Sequence, residues 1–309
     1  MLKKIQSFFS TLLVISILTF ILTKLSSANP AENYLRISKI AISPEALENA
    51  RVYLGLDKPW PVQYWNWLKG VLVGDFGVSY LWKVPVLPLL LESFASTLYL
   101  GFVAFCLILI VSFPLGFLSG IYKNSFLDRL IQLFSFAGVS MPSFWLGYLL
   151  IVVFAVQLQW LPVSGKTDIT SIILPSITLS FPFIGQYTAL IRKTVSEQME
   201  SVHVENARLR GVKLSYIIRY HLLPNSLPTI ATGLSLAFIY LLTGSLIVEE
   251  VFSWNGIGSV FVRSLQAVDI PVIQAGMMLF GFLFLLNNLL NQYVISRIDP
   301  RLRKKRSLQ

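Results

Sequence analysis

The sequence predicts an all-α membrane protein of about six transmembrane helices. Three observations carry this: repeated apolar runs of spanning length, few charges, and basic residues concentrated between alternate runs. Of 309 residues, 55% are hydrophobic and only 13% are charged, about half the share of roughly 25% usual in soluble domains. Mean hydropathy is +0.68. A soluble fold of this size has no interior able to hide so much apolar surface, whereas a bilayer accepts helices of about 20 apolar residues.

The runs, in order, cover residues 8–25, 94–121, 130–156, 172–191, 229–248 and 272–295. The second and third exceed the minimum, which implies tilt or extension beyond the hydrocarbon. Pro114, Pro142 and Pro182 interrupt apolar stretches; such prolines are tolerated where neighbouring helices or waters satisfy the freed carbonyls. The first run also resembles a cleavable signal peptide, with Lys3 and Lys4 before it and Ser26-Ser27-Ala28 after it. Its apolar stretch is longer than the usual 7–15-residue core of such a leader, which favours a span.

Counting charges orients the chain. With the N-terminus inside, the inner segments hold sixteen of the 25 Lys and Arg residues but only five of the 15 acids. Basic excess marks the cytoplasmic side, so both termini are expected there, with a basic tail over 296–309. The net charge of +10 is explained this way and does not call for nucleic acid as a partner.

Residues 29–93 form the longest outer segment, read as a small extracytoplasmic lobe. A short helix is expected over Pro44 to Val52, with Ser43 as N-cap, Pro44 at the first helical position and Glu45 in the first turn. The inner side has one long loop, 193–227. It reads as helical and amphipathic, with Val202, Ala207, Leu209, Val212, Leu214, Ile217 and Ile218 on an apolar side. Gly211 in its middle marks a cap or turn between two short helices.

Several chemistries are excluded. Gly165-Lys166-Thr167 resembles the end of a P-loop, but Trp160 stands where the first glycine is required. His203 and His221, the only histidines, have no metalloprotease spacing and read as solvated or hydrogen-bonded loop residues. No G-x-S-x-G, catalytic dyad or pair of intramembrane acids is present. Cys106 is the one cysteine, so this chain alone builds no disulfide or thiolate metal site. No catalytic, cofactor or metal residues are therefore assigned, and an intramembrane enzyme is disfavoured.

Charges are nearly absent from the middles of the runs; Lys24, Arg192, Glu249 and Glu250 lie near run ends. Ion-coupled pumps need intramembrane ionisable groups, so a self-powered transporter is disfavoured. Neutral polar residues do fall within runs: Gln186, Thr188, Thr243, Ser245, Asn287, Asn288 and Asn291. They suit either a wet pathway or hydrogen bonding between helices. Gly116 and Gly120 form a G-x-x-x-G suited to close helix packing. A set of helices with no engine and a structured basic loop points to energy arriving from a partner bound to that loop. The competing reading, an amphipathic helix on the inner leaflet, would use Arg208, Arg210, Lys213 and Arg219 on anionic lipid.

The loop also carries a resemblance. Glu205-Asn206-Ala207, three residues, Gly211, and then Leu223-Pro224 follow the spacing of the EAA loop of inner-membrane permeases of binding-protein-dependent ATP-binding-cassette importers. The family has Ala where this chain has Asn206, and often Ile where it has His221. Arg219-Tyr220-His221-Leu222-Leu223-Pro224-Asn225, Gly138-Val139-Ser140-Met141-Pro142-Ser143-Phe144-Trp145 and Asp299-Pro300-Arg301 resemble the peptide/nickel branch. So does Glu250-Val251-Phe252-Ser253-Trp254-Asn255-Gly256-Ile257-Gly258, with Asn255 replacing the usual Pro.

Within the outer lobe, Asn29-Pro30-Ala31, Tyr34-Leu35-Arg36 and Leu54-Gly55-Leu56-Asp57-Lys58-Pro59 look most like nickel-type permeases. Gln157-Leu158-Gln159-Trp160-Leu161-Pro162, in a later outer loop, does too. The resemblance implies import of nickel or metal chelates, with dipeptide or oligopeptide import as the alternative. It implies a second permease subunit, two ATP-binding subunits that carry the ATP and Mg, a solute-binding protein outside, and surrounding lipid. It also implies that Glu205, Asn206, Ala207, Gly211, Leu223 and Pro224 belong to a coupling helix that docks into the ATPase.

Overall fold

The computed structural model describes residues 2–25, 29–165 and 168–298. Ser26-Ser27-Ala28, Lys166-Thr167 and most of the basic tail, with Asp299-Pro300-Arg301, lie outside the described residues, as do the side chains of Thr243 and Asn291.

The described chain is helical. In order come α1 (Leu2–Leu25), α2 (Pro30–Ile37), α3 (Pro44–Tyr53), α4 (Trp60–Leu72), α5 (Val86–Ile121), α6 (Phe126–Ser140), α7 (Ser143–Leu150), α8 (Ile173–Met199), α9 (Val202–Leu209), α10 (Leu214–Ile217), α11 (Leu223–Val251), α12 (Ile257–Ala267) and α13 (Ile270–Ile298). Wider π turns follow α7 (Ile151–Gln157) and α10 (Ile218–Leu222), and a 3-10 turn (Ile169–Ile172) leads into α8.

Among the described residues, four stretches are long and apolar enough to cross a membrane: Gln6–Leu25, Val86–Ile121, Ile169–Met199 and Ile270–Leu290. A fifth exists if Phe126–Ser140 and Ser143–Gln157 form one span broken by a 102° bend. The third run expected over 130–156 falls on this bent pair, and the break lies at Pro142, one of the prolines that interrupt the apolar stretches. Met141 precedes Pro142 and is extended (φ −84°, ψ 124°), because proline's ring disfavours helical geometry in the residue before it. Pro114 and Pro182 are instead carried inside α5 and α8. The expected fifth run lies on α11.

The chain divides into two compact units. The first holds residues 1–96 and 255–287, the second 97–254 and 288–309. In the first, Val86, Leu90, Ile257, Val260, Val272 and Ala275 form the core. A smaller cluster of Ala31, Leu35 and Ala50 joins α2 to α3. The Ser43–Pro44 start expected for α3 is present, and the Ser43 side chain accepts from the Ala46 N–H. Buried Asp269, just before α13, accepts from Ser79 Oγ (2.5 Å), Tyr80 N (3.1 Å) and Leu81 N (3.0 Å). It thereby holds the segment that leads into α5. Burial, and then the Asp269 carboxylate, push the Tyr80 phenol well above its ordinary pKa.

In the second unit, α5 crosses α8 closely. A Cβ on Gly116 would lie 2.6 Å from Ile191 Cβ, and one on Gly120 would lie 2.7 Å from Val195 Cβ. The G-x-x-x-G therefore acts through its lack of side chains. At the same end, Arg192 on α8 donates twice to Asp128 on α6, Nε to Oδ1 at 2.6 Å and Nη2 to Oδ2 at 2.8 Å. Ser119 Oγ of α5 and the Asn124 N–H also donate to this buried carboxylate. Three helices thus meet on one anion.

Candidate functional site

The inner loop folds into α9, a tight turn, α10 and the start of α11. α9 ends because Gly211 adopts φ +72°, a left-handed conformation that costs a Cβ-bearing residue energy. The Gly211 N–H donates to Arg208 O at 2.9 Å and the Val212 N–H to Ala207 O at 3.1 Å. These are the two bonds of a Schellman cap. The glycine expected to mark a turn between short helices does so.

The apolar side expected across the whole loop needs correction. Ala207 and Ile217 are buried, together with Val204 and Leu222, against Ile191, Val195 and Met199 of α8 and Ile230 of α11. Val202 and Leu209, by contrast, are 72% and 79% exposed. Val202 and Leu209, seven residues apart, share one side of α9, whereas Val204 and Ala207 lie on the other, since two residues along a helix turn by about 200°. An apolar pair is left facing outward, flanked by exposed Glu205, Asn206, Arg208 and Arg210.

Each loop residue singled out has a distinct place. Glu205 sits in the first turns of α9 with its carboxylate exposed and unpartnered among the described residues, so it does not cap the helix. Asn206 is exposed and its carbonyl accepts from the Arg210 N–H. Ala207 faces inward. Leu223 and Pro224 open α11 directly after the π turn: Leu223 is helical and its N–H donates back to Ile218 O, so the wider turn carries the chain into the segment with Pro224.

Asn225, not singled out by spacing, ties the parts together. Its amide donates to His221 O at 2.7 Å and lies 3.2 Å from His203 Nε2. This joins α11 to α9, and the two histidine rings sit 6.0 Å apart. The His203 ring, on α9, lies within hydrogen-bond distance of Ser201 and Asn225, whereas His221 accepts through its backbone carbonyl.

The neutral polar residues in the apolar runs do not form a single lining. Gln186 is exposed and Thr188 is buried without a hydrogen-bond partner among the described residues. Two residues along a helix is about 200° of rotation, so they point to opposite sides of α8. Ser245 donates to Leu242 O at 3.0 Å within α11. Asn287 is half-buried and Asn288 exposed. The sequence reading missed the burial of Glu249, which accepts from Thr97 Oγ1 at 2.6 Å. Its position near a run end gave no sign of a partner 152 residues away.

Residues 112–304 match the family model of the binding-protein-dependent transport system inner membrane component. Residues 1–101 match the N-terminal model of the same kind of membrane component. The chain belongs to this family. It is accordingly a multi-pass inner-membrane permease subunit of an ATP-binding-cassette importer, a transport component and not an enzyme.

The glutathione transport system permease protein GsiC of Pectobacterium atrosepticum is 34% identical over 307 residues, 98% of each chain. The Escherichia coli K12 protein of that name is 33% identical over the same share. Two solved structures share the fold. One shows inward facing conformations of the MetNI methionine ABC transporter, with TM-score 0.58 and 20% identity over 68% of this permease and 96% of that chain. The other is an amino acid ABC transporter with histidines, with TM-score 0.54 and 18% identity over 68% of this permease and 94% of that chain. The family resemblance seen in the EAA-type spacing is thereby established. The nickel-type expectation gains no support, because these full-length relatives are named for glutathione transport.

Proposed function

We propose that this permease forms the membrane pathway of an importer for glutathione or short peptides delivered by an extracytoplasmic binding protein. The observation that carries this reading is 34% identity across 98% of the chain to a glutathione permease. The permease spans the membrane six times, α11 supplying the fifth span, and both termini lie in the cytoplasm, as the distribution of Lys and Arg supports. It pairs with a second permease subunit and two ATPase subunits, which hold the ATP and Mg.

α9 with its turn is the coupling element. Outward-facing Val202 and Leu209 enter a groove of the ATPase, and Glu205 with Arg208 and Arg210 sets orientation, the usual logic of a helix seated in a groove. The inner face of the loop packs on α8 and α11, so movement of α9 is passed to the two helices that carry Gln186, Thr188, Thr243 and Ser245. Asn287, Asn288 and Asn291 contribute from α13. ATP drives this because it binds one conformation of the ATPase pair more tightly than the other.

Cells lacking this permease test the substrate class. Labelled glutathione, a labelled dipeptide and radioactive nickel are offered side by side. Loss of glutathione or dipeptide uptake with nickel uptake intact is expected. Loss of nickel uptake alone would overturn the substrate assignment.

A further inference from the structure

The outer segment 29–93 contains a helix that behaves unlike its neighbours. α4 has a single charged residue, Lys69, and no buried residue among its thirteen. Trp60, Val62, Trp65 and Leu72 are exposed, as is Val73 at its end, the last two by 76% and 81%. Lys69 does not break this apolar surface, because its Nζ lies over the Trp65 ring, 5.4 Å from the centroid. In water such a helix would leave several large side chains uncovered. α3, before it in sequence, also ends on exposed Val52 and Tyr53 but carries Glu45, Glu48 and Arg51, whereas α4 has one charge in thirteen residues.

The depth of α4 can be read from what it touches. Gln63 accepts a hydrogen bond from Lys24 Nζ, and the Tyr64 ring meets the Phe20 ring at 5.4 Å. Tyr64 Oη lies 2.8 Å from Ser16 Oγ. Ser16 precedes Leu25, the last residue of α1, by nine residues, roughly 13 Å along the axis. The apolar stretch Gln6–Leu25 is 20 residues long, about 30 Å, which matches the hydrocarbon thickness. A tyrosine hydroxyl bonded to Ser16 therefore reaches well below the lipid surface, and the backbone carrying it sits in the outer headgroup and acyl boundary. α1 likewise exposes a large apolar face, Leu13, Val14, Ile17, Leu18, Ile21 and Leu22.

We infer that α4 is a monotopic helix embedded in the outer leaflet, its exposed tryptophans and Leu72–Val73 covered by lipid, so that the outer segment is moored to the membrane and not free in the aqueous phase. Tryptophan enrichment and a shallow apolar face are what an interfacial helix requires. The inference rests on α1 being a span, and the test separates the two.

Single spin labels are placed at Trp65→Cys, Val73→Cys, Leu18→Cys and Glu45→Cys in a Cys106→Ser background, in the assembled transporter in lipid nanodiscs. Val73 is included because its replacement removes no tryptophan. Collisions with oxygen, which concentrates in lipid, are compared with those of a water-soluble nickel chelate. Labels at 65 and 73 are expected to follow Leu18 in favouring oxygen, with the ratio reversed at Glu45. Aqueous behaviour at 65 and 73, with Leu18 in lipid, overturns the inference and leaves the span intact. Exclusion of both probes at 65 and 73 overturns it in favour of a protein partner. Aqueous behaviour at Leu18 overturns the span and the inference together.

Discussion

Replacing Asp128 by Asn tests the clasp that holds α5, α6 and α8 together at one end. Its carboxylate is fully buried and accepts two bonds from Arg192, at 2.6 and 2.8 Å, besides those from Ser119 and the Asn124 N–H. Asparagine keeps the volume but removes the charge and half the acceptor capacity, leaving the guanidinium without its counter-ion. Breaking a buried pair from one side costs about 3–5 kcal/mol. The Arg192 side chain remains 20% exposed, so water recovers part of its solvation and places the loss at the low end, about 3 kcal/mol. Arg192→Gln alone strands the carboxylate and should cost at least as much.

The double variant leaves two neutral amides able to bond each other. It should lose about 3 kcal/mol rather than the sum of about 6 kcal/mol, a coupling of about 3 kcal/mol. Unfolding of the purified chain, titrated with SDS and followed by circular dichroism, reads all four corners of the cycle. Additivity within about 0.5 kcal/mol would show that the two side chains do not act as a pair, and the clasp would have to be abandoned.

Gly116→Ala and Gly120→Ala should each destabilise by about 1–3 kcal/mol through overpacking, because the new Cβ atoms meet α8 at 2.6 and 2.7 Å. Gly101→Ala, at 3.4 Å from Leu242 Cδ2, should be close to neutral in the same titration. Gly211→Ala meets no atom within 4 Å and should cost only the backbone strain of its positive φ, about 1–2 kcal/mol. Gly211→Pro and Glu205→Lys should leave the protein in the membrane but uncouple uptake from ATP hydrolysis, checked by uptake and ATPase rates at matched expression. Asp269→Ala strands two backbone N–H groups and Ser79 Oγ. It should cost about 2–4 kcal/mol and speed protease cleavage between residues 77 and 85.

Local signals in the sequence were the most informative. Ser43-Pro44 opens α3 because a side-chain acceptor followed by a residue without an N–H suits a helix start whatever surrounds it. Gly211 was legible for the same reason, since a left-handed turn is a property of one residue. Pro142 was not: Pro114 and Pro182 continue their helices while Pro142 ends one. Whether a proline kinks or breaks a helix depends on neighbours that no local pattern reveals.

Grouping Val202 and Leu209 with Ala207 joins two opposite sides of α9: at about 100° per residue, Ala207 lies well over a quarter-turn from both, and it is buried while they are exposed. Arg192, near a run end, and Asp128, 64 residues away, carry no local sign of each other, and only the close α5–α8 and α6–α8 crossings bring them together. Family membership was visible through the EAA-type spacing. The substrate was not, because no motif on the chain reports which cargo a binding protein delivers.

The most direct test of the account is reconstitution. The permease is assembled in proteoliposomes with its partner permease, ATPase subunits and binding protein, and accumulation of labelled glutathione and of a labelled dipeptide is followed with ATP and with a non-hydrolysable analogue. The account predicts ATP-dependent accumulation of at least one of them, abolished by Glu205→Lys with the assembly intact. Accumulation that proceeds without ATP hydrolysis, or that is unchanged by Glu205→Lys, would contradict it.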